Sequence, residues 1–312
     1  MQCLGSAAAI LISIPTDAFA WNIPTHMITG AIAYQTLQRE DPEKIITVSL
    51  MLQRHPWYAG RWRGQLDKIS GPERLEVLFM LAARWADDVR RHDRAQDRPS
   101  WHYINLSFKP EGEPASIRAK PPDSVNILSA LAENKRILQR EAPIEQRAIA
   151  LAWLFHLVGD VHQPLHTAQL FDRKYPDGDR GGNEICVRVA PEQAPLNFHA
   201  LWDGLITSSK NVGRIEKMST ELRNKFPRGE LTELANSEPE AWAKESFAAR
   251  EVAYEQGAIR GAPKGQARDC REVIEAAVLP AGYAAMARSV ADRRLLLAGY
   301  RLAGVLSGIL GK

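Results

Sequence analysis

Cysteine is scarce here, with three in 312 residues. Cys3 lies in a segment expected to be removed, which leaves Cys186 and Cys270; they could pair in an oxidising compartment, but sequence alone leaves open whether their Cα atoms come close enough. An excess of either charge is also missing: 40 Lys and Arg stand against 37 Asp and Glu, which excludes wholesale coating of nucleic acid and confines any polyanionic substrate to a local site. Long apolar runs are absent. The stretch Leu295 to Leu310 carries Arg301 at its middle and falls short of the ~20 residues of a membrane span, so no membrane anchor is expected. Compositional bias and internal repeats are lacking too, which excludes disordered, collagen-like and coiled-coil classes and leaves ordinary globular usage with material for one large core.

The first 20 residues stand apart. Residues 1–20 read as a secretory signal, with an apolar run from Ala7 to Ile14, Pro15 as a breaker and Ala-Phe-Ala ending at Ala20, although its start has no Lys or Arg. Processing there yields a chain that begins at Trp21 and is secreted or periplasmic. Residues 21–312 then form one domain.

Helical periodicity dominates that domain, so an all-α, mainly helical fold is expected. His26 to Gln38 places Ile28, Ile32 and Thr36 on one face before Asp41-Pro42. A second helix enters at Gly71-Pro72 and runs toward Asp87, and a third runs from a cap at Asp123 or Ser124 to about Arg140. The helix from about Ile144 to Val161 puts Ile149, Trp153, His156 and Asp160 on one stripe, so a core-facing surface ends in an imidazole and a carboxylate. Buried charge needs a partner. A Gly/Asp-rich loop from Tyr175 to Gly182 precedes a short ribbon at Ile185, Val187 and Val189. Helices return at Phe198 to Ile206, Pro239 to Glu255 and Asp292 to Leu310, and Arg90 to Arg98 reads as a solvated loop.

Among eight histidines, two open a His-x-x-x-Asp pair, His156/Asp160 and His199/Asp203, a spacing that stacks both side chains on one helix face and can grip a metal. The segment FHLVGDVHQPLH adds His166, while RWADDVR and SWHYIN supply Asp87 and His102. Nitrogen and oxygen ligands without thiolate suit zinc with an open coordination position, and the set is too rich for one ion. A processed Trp21 would add an α-amine and a carbonyl that chelate as a five-membered ring, with His26 five residues on.

WNIPTH, RWADDVR, SWHYIN, FHLVGDVHQPLH, GGNEI and NFHALWD, in this order, together with the C-terminal LAGYRLAGVL, resemble the zinc-dependent S1/P1 nucleases, relatives of bacterial zinc phospholipase C. The resemblance covers nearly all of the chain after residue 20. It implies a phospholipase C/P1 nuclease-like multi-helix fold with a short β ribbon, and three zinc ions. Asp87, His102, His156 and Asp160 would hold the first; the Trp21 amine and carbonyl, His26 and bridging Asp160 a close neighbour; His166, His199 and Asp203 the third.

The implied activity is hydrolysis of single-stranded DNA and RNA to 5′-phosphorylated products, with 3′-nucleotides as further substrates, by a zinc-activated hydroxide. Arg90 would neutralise phosphate charge, Tyr103 would stack on a base, and Asn105 and Asn183 would offer hydrogen bonds to it. Asn105 stands where many relatives carry Asp, and WNIPTH lacks the glycines of the usual Trp-Gly-x-x-Gly-His. His162 is expected to make a structural hydrogen bond, and His55 and His92 to sit in solvated loops. A phospholipase C and a non-catalytic helical zinc protein are the competing expectations.

Overall fold

The computed structural model describes residues 21–254 and 261–309; the signal-peptide expectation for residues 1–20 lies outside them. Helices α1 (Ile23–Glu40), α2 (Pro42–Leu52), the one-turn α3 (Arg63–Leu66) and α4 (Glu73–His92) come first. Strand β1 (Leu106–Phe108) separates them from α5 (Ile127–Gln139), α6 (Ile144–Asp160) and the one-turn α7 (Pro164–Thr167). Strands β2 (Ala168–Leu170), β3 (Ile185–Arg188) and β4 (Leu196–Asn197) lead into α8 (Phe198–Gly204), then α9 (Val212–Lys225), α10 (Pro239–Ala248) and α11 (Arg250–Ala253). Two-residue strands β5 (Ala262–Pro263) and β6 (Ala277–Val278) precede the long α12 (Tyr283–Ile309). The fold is all-α with minor strands, as expected.

The core is built around α6. From Ala150 to Asp160 every one of its residues is buried, because α4, α5, α12 and α2 all pack against it. The expected single core-facing stripe is therefore too narrow a description: a helix apolar on all sides is a central one. Helix α1 lies against α4, α12 and α9 and buries Ile28, Ile32 and Leu37. The start of α1 is set by Asn22, whose side chain accepts from Thr25 N at 3.0 Å and Thr25 Oγ1 at 2.7 Å, with Pro24 in the first turn. That cap makes the bend before His26 without the glycines of the family motif.

Several boundaries differ from expectation for identifiable reasons. Helix α5 is capped by Asn126, not by Asp123 or Ser124, since Asn126 forms a reciprocal capping box with Ser129. Arg90 to His92 complete α4 and only the residues after them form the loop. The segment expected as one helix from Pro239 divides into α10 and α11, and Glu255 lies outside the described residues. Helix α12 begins at Tyr283, nine residues before the expected Asp292. Helices α2 and α9 were not expected.

His55 is not in a solvated loop. It is buried, stacked on Trp62 with ring centroids 4.6 Å apart and edge-on to Trp85, and burial pushes its imidazole down to about 3. His92 is exposed, at the last position of α4.

The ribbon is larger than expected. Strand β3 pairs antiparallel with β4 and β5 and parallel with β6, while β1 and β2 form a separate parallel pair. Cys186 on β3 is disulfide-bonded to Cys270, Cα to Cα 5.4 Å, which settles the open pairing. Among the described residues no helix is long and apolar enough to cross a membrane.

Candidate metal centre

Six separate segments bring His and Asp side chains to one interior region. His26 comes from the first turn of α1, Asp87 from α4, and His102 from the 3₁₀ turn Pro99–His102. His156 and Asp160 come from α6, His166 from α7, and His199 and Asp203 from α8. They gather as three groups, each with its donor atoms within 4.8 Å of one another: His26, His156 and Asp160; Asp87, His102 and His156; His166, His199 and Asp203. Asp160 joins the groups. Its Oδ2 lies 2.8 Å from His102 Nδ1 and 2.9 Å from His156 Nε2, and its Oδ1 lies 3.2 Å from His26 Nε2 and 3.5 Å from His166 Nδ1.

These separations suit a tetrahedral cation. Ligands about 2.0–2.1 Å from zinc stand about 3.3 Å from each other. His102 Nδ1 and His156 Nε2 are 3.0 Å apart, His199 Nε2 and Asp203 Oδ2 3.5 Å, and His166 Nε2 and Asp203 Oδ1 3.8 Å. The His26 and His156 rings stack with centroids 3.8 Å apart.

His102 Nδ1, His156 Nε2 and Asp160 Oδ2 bond among themselves, but other side-chain atoms of the groups are unsatisfied. His26 Nδ1 and Nε2, His102 Nε2, Asp160 Oδ1, His166 Nε2, His199 Nε2 and Asp203 Oδ2 are all shut off from solvent with no hydrogen-bond partner. A buried polar atom without a partner costs ~1–3 kcal/mol, and such a concentration of them calls for a ligand. The opposite ring nitrogens are satisfied by main-chain carbonyls: His156 Nδ1 by Ala83 O at 2.9 Å, His166 Nδ1 by His102 O at 2.7 Å, and His199 Nδ1 by Gly181 O at 2.5 Å. A carbonyl can only accept, so each Nδ1 carries the proton and each Nε2 offers its lone pair to the centre.

Two glycines permit this arrangement. Gly181 has φ +62° and a Cβ there would sit 2.3 Å from Leu165 O; only glycine turns its carbonyl onto His199. A Cβ at Gly159 would sit 2.8 Å from His26 Nδ1. The GGNEI motif is thus part of the centre's framework.

Electrostatics point the same way. Burial holds His102 and His199 down to about 3, aided by Arg90 and His166 respectively, and also lowers His26 and His166. Neutral imidazoles are the form that binds metal. Burial opposes charge on His156 as well, but Asp160 and Asp87 outweigh it and raise its pKa. His156, His166 and His102 in turn hold Asp160 well below the usual carboxylate range despite its burial. Asp203 moves the other way: burial, with Asp160 and Asp87 nearby, raises it well above that range. Trp153 stands edge-on to His102 at 5.6 Å and to Trp85 at 5.6 Å, an indole wall on one side of the groups.

The remaining expected residues lie around the centre. Trp21 is fully buried and its indole donates to Gly159 O at 3.1 Å, beside Asp160 in sequence. Arg90 Nη1 is 3.7 Å from Asp87 Oδ1. Tyr103, next to His102, is half-buried, and its carbonyl accepts from Ile127 N at 3.0 Å. Asn105 adopts φ +54°. The Asn183 side chain donates to Arg180 O at 3.0 Å, a turn-forming use. His162 makes the expected structural bonds, from Nδ1 to Val158 O at 2.7 Å and with Arg301 Nη1 at 2.9 Å.

Sequence reasoning passed over two residues. Gln163 donates to Asp203 Oδ1 at 2.8 Å, and Arg301, considered only as a charge in an apolar stretch, is buried and paired through both guanidinium arms with Glu245. The position of Gln163 between Asp160 and His166 was the available signal.

A family model described as S1/P1 nuclease matches residues 21–311. Endonuclease 3 of Arabidopsis thaliana is 28% identical over 315 residues, covering 96% of this chain and 92% of its own. Nuclease S1 of Aspergillus oryzae is 28% identical over 138 residues, 44% of each chain, so that match spans less than half of its length. Endonuclease 5 of Arabidopsis thaliana is 45% identical over a shorter stretch of 60 residues.

Proposed function

Because the chain belongs to the S1/P1 nuclease family, we propose that it hydrolyses single-stranded DNA and RNA to 5′-phosphorylated products and also removes phosphate from 3′-nucleotides, with three zinc ions as cofactors. The observation that carries this is the convergence of eight His and Asp side chains into three groups, six of them with buried side-chain atoms that have no hydrogen-bond partner. Asp87, His102, His156 and Asp160 would hold one zinc; His26, Asp160 and the Trp21 amine and carbonyl a second; His166, His199 and Asp203 a third. Zinc at such sites would supply Lewis acidity, lowering the pKa of water and offsetting negative charge on phosphate oxygens.

The protein's own groups do the rest. Three carboxylates would hold the cations, and Nδ1–carbonyl bonds fix the rings of His156, His166 and His199. Arg90, beside Asp87, brings a fixed positive charge toward a phosphodiester. Tyr103 would offer a ring face to a base, and Asn105 and Asn183 would read its edge. Preference for single strands follows from the cost of a few kcal/mol to unstack a base from duplex. Export with removal of residues 1–20 would free the Trp21 amine for its ligand role and place the enzyme outside the cytoplasm.

The test compares turnover of single-stranded DNA, RNA, a 3′-nucleotide and phosphatidylcholine, with end mapping of the nucleic-acid products. Cleavage leaving 5′-phosphates is expected; turnover of the lipid alone would overturn the proposal in favour of a phospholipase C.

A further inference from the structure

Gln163 sits between two of the groups, in the turn that joins α6 to α7. Its side chain is wholly buried, and both ends of the carboxamide are used: Oε1 accepts from Leu165 N at 2.5 Å and Nε2 donates to Asp203 Oδ1 at 2.8 Å. A main-chain N–H can only donate, so the amide cannot flip; Nε2 must face Asp203. One oxygen of that carboxylate is thereby engaged. The other, Oδ2, is the unpartnered atom 3.5 Å from His199 Nε2.

The backbone that carries Gln163 is itself held. Gln163 N donates to Asp160 O at 3.0 Å, and His166 N to Gln163 O at 3.1 Å, so the residue is tied to a ligand on either side. From behind, Ser246 Oγ donates to Val161 O at 2.6 Å, Arg301 Nη1 meets His162 Nε2 at 2.9 Å, and Glu245 fixes Arg301. The turn cannot slide along α10 or α12 without leaving these buried groups unpaired.

We propose that Gln163 is the positioning residue of the His166–His199–Asp203 site: by holding Asp203 Oδ1 it fixes the carboxylate with Oδ2 turned to His199, and it ties that site to Asp160 on a turn clamped from the opposite side. The inference rests on the zinc reading given above and concerns how one of its sites is built.

Gln163→Glu isolates the role. The replacement is isosteric and keeps an oxygen to accept from Leu165 N, but it sets a second oxygen against Asp203 where a donor stood. Competition with a chromogenic chelator, read as zinc bound per chain, gives the affinity of each site, and the melting temperature of the zinc-free protein reports the fold. Affinity at one site of three should fall about 10–100-fold, the usual effect of removing a partner of a metal ligand. The other two sites and the zinc-free melting temperature should match the parent. Three sites of parental affinity in Gln163→Glu would overturn the proposal, as would parallel loss at all three with a lower melting temperature, which marks a structural role only. A parent protein that takes up no zinc would overturn the metal reading as well.

Discussion

Replacing Asp160 with asparagine should remove two of the three proposed zinc ions at once. Four imidazole nitrogens lie within 3.5 Å of its carboxylate: those of His102 and His156 at Oδ2, and those of His26 and His166 at Oδ1. Asparagine cancels the charge and puts an NH₂ group on one side, so whichever way the amide turns, one pair of imidazoles meets a donor in place of an acceptor. Breaking a buried ionic cluster by neutralising one member costs about 3–5 kcal/mol, which corresponds to about 10²- to 10⁴-fold in affinity. The sites that share Asp160 should therefore lose zinc on dialysis, whereas the site at His166, His199 and Asp203 retains it. Elemental analysis after dialysis, paired with a single-stranded DNA cleavage assay, should give about one zinc per chain and at least ~10²-fold lower turnover. Three zinc ions with turnover within a few-fold of the parent would refute the bridging role.

Three further perturbations test the framework. Gly181→Ala forces a Cβ against Leu165 O in a left-handed backbone, so it should cost about 1–3 kcal/mol in thermal stability and lower zinc affinity at the His199 site; an unchanged melting temperature would contradict the close approach. Cys186→Ser opens a disulfide with a sequence separation of 84; a loss of about 2–5 kcal/mol in denaturant stability is expected, and none would mean that the link restrains little. Glu76 is raised from its ordinary 4.5 to about 7 by burial, with Glu216 and Glu73 adding to the effect. Its protonated form is favoured in the fold, so its contribution is fully present below pH ~4.5 and is lost as pH rises through ~7. Glu76→Gln should remove a decline of about 2–3 kcal/mol across that window in pH-dependent urea melts; an identical slope in the variant would refute it.

Four of the clustered side chains were legible in sequence because the spacing of four residues in His156/Asp160 and His199/Asp203 is a property of any helix. Convergence of the separate segments followed only from the family resemblance, since nothing local says that α1, α4, α6 and α8 meet. What sequence missed was decided by tertiary context. His55 reads as a loop residue beside Pro56, yet Trp62 and Trp85 close over it. Gln163 has no periodicity to announce it; its role needs Asp203, forty residues away. The start of α12 was hidden because Tyr283 to Arg288 is short of bulky apolar residues, and Tyr283 is anchored instead by its hydroxyl, which donates to Ala253 O and accepts from Trp202 Nε1. The cap on α5 fell to Asn126 because only there do two side chains bond reciprocally with the backbone.

Zinc-edge anomalous diffraction from crystals of the chain beginning at Trp21 addresses the central claim most directly. Three peaks are predicted: one among Asp87, His102, His156 and Asp160, a neighbour between His26, the Trp21 amine and the same Asp160, and one among His166, His199 and Asp203. Peaks outside these groups, or a zinc-replete crystal with Asp160 bound to a single ion, would contradict it.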